Sequence, residues 1–244
     1  MFGKISLLIF AFGCITASAQ QGQDILENYF EAKGGKKKLK NIKTMDLELT
    51  SDNPRTGKAQ INYWYKAPNM MKIESKIGAQ KNIVATNGDV HWYIPPMQGG
   101  APQKLQGAQA SMIDNQLQIF KNLIIGIDPD MPGTEKIQYD GEEDMDGMKV
   151  HHLKLTDSTG NIQNAFFNKK SGFLEKVTIQ STGANGEQQI IKQVVEKRMQ
   201  SDGIYHPEIY KIYQNDQLVQ TFTIKKVELD KSIDESIFDM PSKK

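Results

Sequence analysis

The stretch 23–42, QDILENYFEAKGGKKKLKNI, contains the clearest helical pattern near the start of the chain. Its apolar residues recur at the spacing that places them on one face of a helix: Ile25, Leu26, Tyr29, Phe30 and Ala32. Asp24 can cap the start, and Gly34-Gly35 ends or kinks the helix, since glycine readily adopts a left-handed backbone. Because almost everything downstream predicts β-strand, we expect this helix to cover the apolar face of a sheet.

After residue 42, short runs of alternating apolar and polar residues are separated by turn signals. Strands are predicted at 44–50, 58–66, 70–77, 82–86, 90–94, 136–139, 149–156, 161–168, 173–180, 188–199, 204–213 and 218–229. A second amphipathic helix is predicted at 109–125, where the apolar period changes to that of a helix. The even spacing indicates a meander, so the predicted fold class is α+β. It is a strongly curved antiparallel sheet forming an incomplete β-barrel, with helices covering the concave face.

Residues 1–19 have the pattern of a secretory signal peptide. Lys4 provides a short positive region, an apolar run follows, and Ala17-Ser18-Ala19 is a small-residue cleavage signal. The run is too short to span a bilayer comfortably. We therefore predict cleavage after Ala19, a periplasmic location, and one domain over residues 20–244.

The only cysteine, Cys14, lies inside this leader, so the mature chain depends on a hydrophobic core rather than on disulfides. An alternative is that residues 11–14 form a lipobox and that Cys14 anchors the protein to a membrane, although Phe12 is bulky for that pattern. The formal net charge of the whole chain is +1. A nucleic-acid partner, which would require a clear basic excess, is therefore not predicted.

Motifs of enzymes and of cofactor-binding proteins are absent from the sequence, and no cofactor is predicted. His91 with Asp89 and Asp114 is the best polar cluster that a hydrolase could use, and it is a weak one. His151 and His152 are adjacent on a strand and point to opposite faces, so no metal site is predicted. Residues 142–147 resemble half of a calcium loop, but Leu153 stands where its closing glutamate would be, which favours an acidic hairpin turn.

The positive signal for function is apolar and aromatic. A long curved sheet with two small helices is hard to fill at native packing density, and methionines suit a surface that repacks around a flexible guest. For any single residue, an ordinary core position is the simpler interpretation. As a set, ten residues are predicted to bind an apolar ligand: Ile25, Tyr29, Trp64, Met70, Trp92, Ile94, Met112, Ile113, Leu117 and Phe120.

Four segments in order resemble a known family, the LolA/LolB-like periplasmic carriers of outer-membrane lipoproteins. Lys66-Ala67-Pro68-Asn69, preceded by Trp64, is similar to their strand-ending K-R-P-N. Residues 87–96, NGDVHWYIPP, are similar to their D-G-x-x-x-W-x-Y-x-P. The opening 25–42 and the closing 233–241, IDESIFDMP, resemble the ends of the lipoprotein-sorting branch.

The resemblance implies an incomplete barrel of about eleven strands, closed by helices, with an apolar cavity for acyl chains. It also implies a monomeric, non-catalytic carrier whose partners are lipoprotein acyl chains or other lipids, and sorting proteins of the inner and outer membranes. Ala67 replaces the family's arginine, which is associated with cargo release. A lipid- or lipoprotein-sensing regulator with the same fold is therefore the alternative.

These expectations together predict that the second helix, 109–125, is a lid. Its apolar face would lie on the sheet when the protein is empty and would move away when an acyl chain enters. The breaker-rich segments before it and at 128–133 would be its hinges.

Overall fold

The structure, a computed structural model, describes residues 10–96, 100–127, 136–156, 162–182 and 187–242. Its helices are α1 (Phe10–Lys33), α2 (Lys36–Lys40) and α3 (Ala108–Ile125), and a 3-10 turn spans Glu235–Phe238. Its strands are β1 (Thr44–Asn53), β2 (Gly57–Lys66), β3 (Met70–Ile77), β4 (Gln80–Thr86), β5 (His91–Ile94), β6 (Gln103–Leu105), β7 (Lys136–Met145), β8 (Met148–Thr156), β9 (Ile162–Asn168), β10 (Leu174–Thr182), β11 (Gln188–Ser201), β12 (Ile204–Gln214) and β13 (Gln217–Leu229).

The described strands form one sheet in the order β6-β5-β4-β3-β2-β1-β13-β12-β11-β10-β9-β8-β7. The ladders from β6 to β1, from β1 to β13 and from β7 to β11 are antiparallel. The order leaves β6 and β7 as free edges, so the sheet is open. The predicted α+β class with an open antiparallel sheet is confirmed, with thirteen strands described against the eleven that the resemblance implies.

Each of the twelve predicted strands is present, with ends shifted by a few residues. Two features differ from the prediction. β6 lies between the strand predicted at 90–94 and the helix predicted at 109–125, where no strand is predicted, and β7 continues to Met145 through a segment predicted as a turn. The continuation is possible because the register shifts between Tyr139 and Gly141, and Gly141 adopts φ 112°, which glycine tolerates.

The first helix is longer than predicted, because α1 begins at Phe10 and continues to Lys33. Asp24 therefore lies inside the helix rather than at its start, and accepts a hydrogen bond from Gln20 Nε2 at 2.9 Å. The predicted stop is confirmed: Gly34 and Gly35 have φ 123° and 100°. None of the helices in the described part of the chain is long and apolar enough to cross a membrane.

The chain forms two compact units, and the strand β11 contributes to both. Unit 1 comprises Met1–Lys36, Asp128–Val194 and Gln214–Asp216, and unit 2 comprises Lys37–Ile127, Val195–Tyr213 and Gln217–Lys244, each within the described residues. Unit 1 therefore contains α1 with β7–β10, and unit 2 contains α3 with β1–β6, β12 and β13. The single domain over 20–244 stays a prediction.

In unit 1, α1 packs closely on β7–β9. Tyr29 meets the edge of Phe167 on β9, with ring centroids 5.3 Å apart, and Leu26 and Phe30 are each 1% exposed. A Cβ atom built at Gly22 would lie 2.7 Å from Cγ2 of Ile137 on β7. Helix and sheet are thus in contact at van der Waals distance along this surface.

In unit 2, the register of β1–β5 separates an apolar from a polar face. Directly paired residues share a face, and the apolar face consists of rows such as Leu47, Tyr63, Ile73 and Val84. The opposite face carries ion pairs: Lys226 of β13 lies 3.0 Å from Glu228 and 3.8 Å from Asp46, and Glu74 lies 3.0 Å from Lys72. We call these the apolar face and the polar face of unit 2.

Candidate functional site

The candidate site is the contact between α3 and the apolar face of unit 2. Four side chains of α3 are buried: Ile113, Leu117, Ile124 and Ile125. Phe120, on the same stripe, stacks on Tyr63 of β2 with ring centroids 5.1 Å apart and ring planes at 19°. It also meets the edge of Phe222 of β13 at 6.3 Å. This stripe covers the apolar face with the spacing that the sequence predicts.

Two polar contacts connect α3 to the strands beneath it. His91 Nε2 of β5 lies 2.8 Å from Asp114 Oδ1. The Lys121 ammonium lies over the ring of Tyr65, 5.8 Å from its centroid. Both contacts involve partly exposed groups, so each contributes on the order of 1 kcal/mol or less to holding the helix in place.

Glycines bound α3 at both ends. Gly107, at the N-cap position, has φ 57° and provides no side-chain hydrogen bond. Gly126 follows the helix with φ 84° and ψ −156°, and its N–H donates to Asn122 O at 2.7 Å. Such backbone angles are easily reached only by glycine, so the chain bends sharply on each side of the helix. The segment 128–133, predicted as a hinge, lies outside the described residues.

α3 carries more apolar surface than it buries. Met112 and Ile119 are each 63% exposed, whereas the four buried apolar residues of the helix are at most 7% exposed. With Leu123, which is partly exposed, they form a row beside the buried stripe. The apolar surface of the helix is therefore wider than its contact with the sheet.

Polar atoms without a partner lie in the same contact. The Tyr63 hydroxyl and Gln116 Oε1 are buried and make no hydrogen bond among the described residues. Burial raises the pKa of Tyr63 well above its ordinary value, and the neighbouring Tyr65 raises it further. Tyr65, two residues along the same strand face, donates its hydroxyl to Pro68 O at 3.3 Å. Leaving a buried hydroxyl unpaired is unfavourable, so Tyr63 is an exception that needs an explanation.

The structure brings together only part of the predicted ligand-binding set. Ile113, Leu117 and Phe120 lie on the buried stripe of α3, whereas Met112 is exposed on the same helix. Ile25 and Tyr29 are buried in unit 1, on α1.

The remaining four residues lie on the polar face, away from α3. Trp64 pairs with Lys72, which is paired through Ala85 to Trp92, so both tryptophans are on the face opposite Tyr63. Met70 pairs with Lys66, and Ile94 is connected through Ile83 to Glu74, which places both on that face as well. Alternation along each strand moves a side chain to the opposite face at every step, so these residues cannot line a cavity under α3.

Two of the segments that resemble the carrier family, 66–69 and 87–96, contact a third, the closing segment 233–241. Trp92 Nε1 donates to Phe238 O at 2.8 Å, and both residues are at most 1% exposed. Asn87 Nδ2 donates to Asp239 Oδ1 at 2.9 Å, and Lys66 forms an ion pair with Glu235 at 2.8 Å. These motif residues therefore have structural contacts that account for their burial.

A hollow of about 630 Å³ opens beside β1–β4 and is lined mostly by polar groups. Glu48, Gln60, Asn62 and Glu74 are among its walls, and none of the ten predicted residues is. Its lining does not match an acyl-chain site, which requires predominantly apolar walls.

The acidic hairpin and the adjacent histidines of β8 have structural contacts. Asp144 accepts a hydrogen bond from Gly147 N at 2.7 Å in the β7–β8 hairpin. The predicted acidic hairpin is present, but its turn is confined to residues 146 and 147, because 142–145 belong to β7. His152 stacks on Phe166 at 4.6 Å, while His151 contacts Tyr139 at 5.9 Å. Among the described residues, no group of three or more His, Cys, Asp or Glu side chains could hold a metal.

Several residues of the α3 contact are missing from the predicted set, among them Ile124, Ile125 and Phe222 and the two that carry unpaired polar atoms, Tyr63 and Gln116. The alternation in 58–66 placed Tyr63 on the apolar face with Tyr65. Nothing local to the sequence separates the two hydroxyls. The difference arises because Pro68 O reaches Tyr65 but not Tyr63.

Solved structures of other proteins are similar to this chain in fold, at low sequence identity. No family model matches the sequence, and no curated protein matches it. A DUF1329 family protein from Desulfovibrio piger is similar in structure with TM-score 0.61 at 11% identity, over 91% of this chain and 97% of the other. A LolA superfamily protein from Nitrosomonas europaea is similar with TM-score 0.54 at 15% identity, over 89% of this chain and 97% of the other. The chain therefore has a LolA-like fold.

Proposed function

We propose that this protein is a non-catalytic carrier that binds the acyl chains of lipoproteins or other lipids between α3 and the apolar face of unit 2. It works in the periplasm, in the sorting of outer-membrane lipoproteins. The observation that carries the proposal is α3 itself. It is a helix bounded by two glycines at positive φ that buries one apolar stripe on the sheet and leaves Met112 and Ile119 exposed.

Energetics explain why such a carrier needs a helix of this kind. Burying one methylene contributes about 0.8 kcal/mol, so a sixteen-carbon chain gains up to ~12 kcal/mol before ordering costs. Release from so favourable a site requires a competing closed state. In the closed state, Phe120 and Leu117 occupy the apolar face that the acyl chain would otherwise cover.

The decisive experiment places a charge on the buried stripe. Leu117→Asp or Phe120→Asp should abolish uptake of a fluorescent fatty-acid ester while the far-UV circular dichroism of the sheet stays unchanged. Gln118→Asp, at an exposed position of the same helix, is the matched control and should load normally. Undiminished uptake by both stripe variants would reject the lid.

The route to the envelope is part of the proposal. We expect the mature protein to begin at Gln20 and to exchange cargo with proteins of the inner and outer membranes. Intact mass spectrometry of protein purified from the envelope checks the first point, because a chain that begins at a lipidated Cys14 has a different mass. A protein partner that Leu117→Asp still binds in a pulldown would favour the alternative, a lipid- or lipoprotein-sensing regulator, over a carrier.

A further inference from the structure

We propose that the site under α3 takes an acyl lipid together with its uncharged carbonyl group, an ester or an amide, which accepts a hydrogen bond from the Tyr63 hydroxyl. This inference rests on the proposed function and specifies which part of the cargo enters. It implies a polar anchoring point inside an otherwise apolar contact. A site of that kind selects lipids by the position of their carbonyl and not only by chain length.

The Tyr63 hydroxyl is a hydrogen-bond donor without an acceptor in the described part of the chain. Tyr63 is fully buried, and its burial raises the pKa, so the hydroxyl remains protonated and can donate. Its neighbours on the sheet are apolar, since it pairs with Leu47 and Ile73 and lies under Phe120. The donor thus has no acceptor among the described residues, although buried hydroxyls are normally paired.

Gln116 precedes Phe120 by one helical turn, and residues four apart lie on the same side of a helix. Because Phe120 stacks on Tyr63, Gln116 lies one turn along the helix from the same ring. Its buried Oε1 is an unpaired acceptor. The contact therefore offers one donor and one acceptor. A secondary amide carries a complementary group for each, whereas an ester carries only acceptors.

Two basic side chains at this contact have other partners: Lys121 lies over the Tyr65 ring, and His91 contacts Asp114. A carboxylate placed beside Tyr63 would lose its hydration without gaining a cation, which is strongly unfavourable. An uncharged carbonyl loses less hydration free energy when it moves from water into the site, and the hydrogen bond from Tyr63 offsets that loss.

The test compares Tyr63→Phe with the wild type on three probes of equal chain length: an alkane, a fatty-acid methyl ester and an N-alkyl fatty amide. Removal of the hydroxyl should weaken ester and amide binding by about tenfold and leave alkane binding unchanged. The variant should also melt at a higher temperature when empty, because an unpaired buried hydroxyl is gone. Gln116→Leu should weaken only the amide.

Tyr65→Phe is the matched control, since it removes a hydroxyl that is already paired with Pro68 O. It should lower the melting temperature and leave all three affinities unchanged. Equal binding of ester and alkane by the wild type, or an unchanged ester affinity in Tyr63→Phe, would overturn the inference and show that the hydroxyl serves only an ordered water. Failure of every probe to bind would instead contradict the proposed function.

Discussion

The two long helices, α1 in unit 1 and α3 in unit 2, cover their strands in different ways. α1 buries Leu26 and Phe30 to 1% exposure, and a Cβ atom at its Gly22 would lie 2.7 Å from Cγ2 of Ile137. α3 also buries a stripe, but leaves Met112 and Ile119 63% exposed and the Tyr63 hydroxyl unpaired beneath it.

The difference separates a structural helix from one that can be displaced. Where helix and strands are closely packed, displacement of the helix exposes apolar core surface, and no new interaction compensates for the lost contacts. Where the contact leaves polar atoms unpaired, a guest that supplies partners can compete with the helix. We therefore expect perturbations of α1 to affect folding and perturbations of α3 to affect binding.

The largest difference should come from matched leucine truncations. Leu26→Ala on α1 should reduce the free energy of unfolding by about 2–5 kcal/mol, the usual cost of a cavity in a close-packed core. Leu117→Ala, equally buried on α3, should cost less than half of that, because the helix can shift to close the cavity. Urea unfolding of both variants measures the two values, and equal losses would contradict the distinction.

Hydrogen exchange sharpens the comparison without mutation. Amides of α3 should exchange about 10- to 100-fold faster than those of Gln20–Lys33 in α1. Local opening of α3 should need less free energy than the unfolding that exposes α1. Addition of an acyl probe should change exchange in α3 and leave α1 unaffected. Mass spectrometry of peptides from the two helices provides both readouts, and equal protection of the two helices argues against a lid.

A smaller effect is expected at the bend after α3. Ala at Gly126 should strain the closed position by about 1–3 kcal/mol, because φ 84° with ψ −156° is a glycine region. Gly126→Ala should therefore load an acyl probe faster in stopped-flow fluorescence. Gly57→Ala is the control, since it also places alanine at a positive φ, 86°, at the start of β2, with open space around it. Its loading rate should equal that of the wild type.

The smallest effect concerns pH and α1. Burial lowers the pKa of His151, against the opposing effect of Glu142, and Lys169 lowers it further. The folded chain thus favours the neutral imidazole, so its contribution to stability is complete above about pH 6.5 and is lost as pH falls. His151 pairs in register with Phe167, which Tyr29 of α1 contacts.

Exchange in α1, corrected for its intrinsic pH dependence, should therefore rise by at most about tenfold between pH 7 and pH 5, with no such rise in α3. His151→Asn should flatten the profile. A profile in which both helices respond equally would assign the effect to other groups.

Alternation and turn signals in the sequence were sufficient to predict the strands, because period two and breaker residues are local properties. They failed at Gly141, where a shift of register lets the strand continue through a glycine. They also missed β6, which pairs with β5 over only three residues in a segment rich in glycine and proline.

The site was harder to predict for a physical reason. Trp64 and Trp92 are large and apolar, but the face on which they lie depends on alternation and on strand register. Trp92 is buried by Phe238, a residue from the far end of the chain, which no local pattern reveals. In α3, by contrast, the helical period alone predicts that Ile113, Leu117 and Phe120 lie on one face of the helix.

The most direct test of the account is native mass spectrometry of the protein purified from the cell envelope, beside Leu117→Asp and Gln118→Asp. We predict an adduct with the mass of an acyl lipid on the wild type and on Gln118→Asp, and bare protein for Leu117→Asp. An adduct of the same occupancy on all three proteins, or on none, would contradict an acyl site under α3.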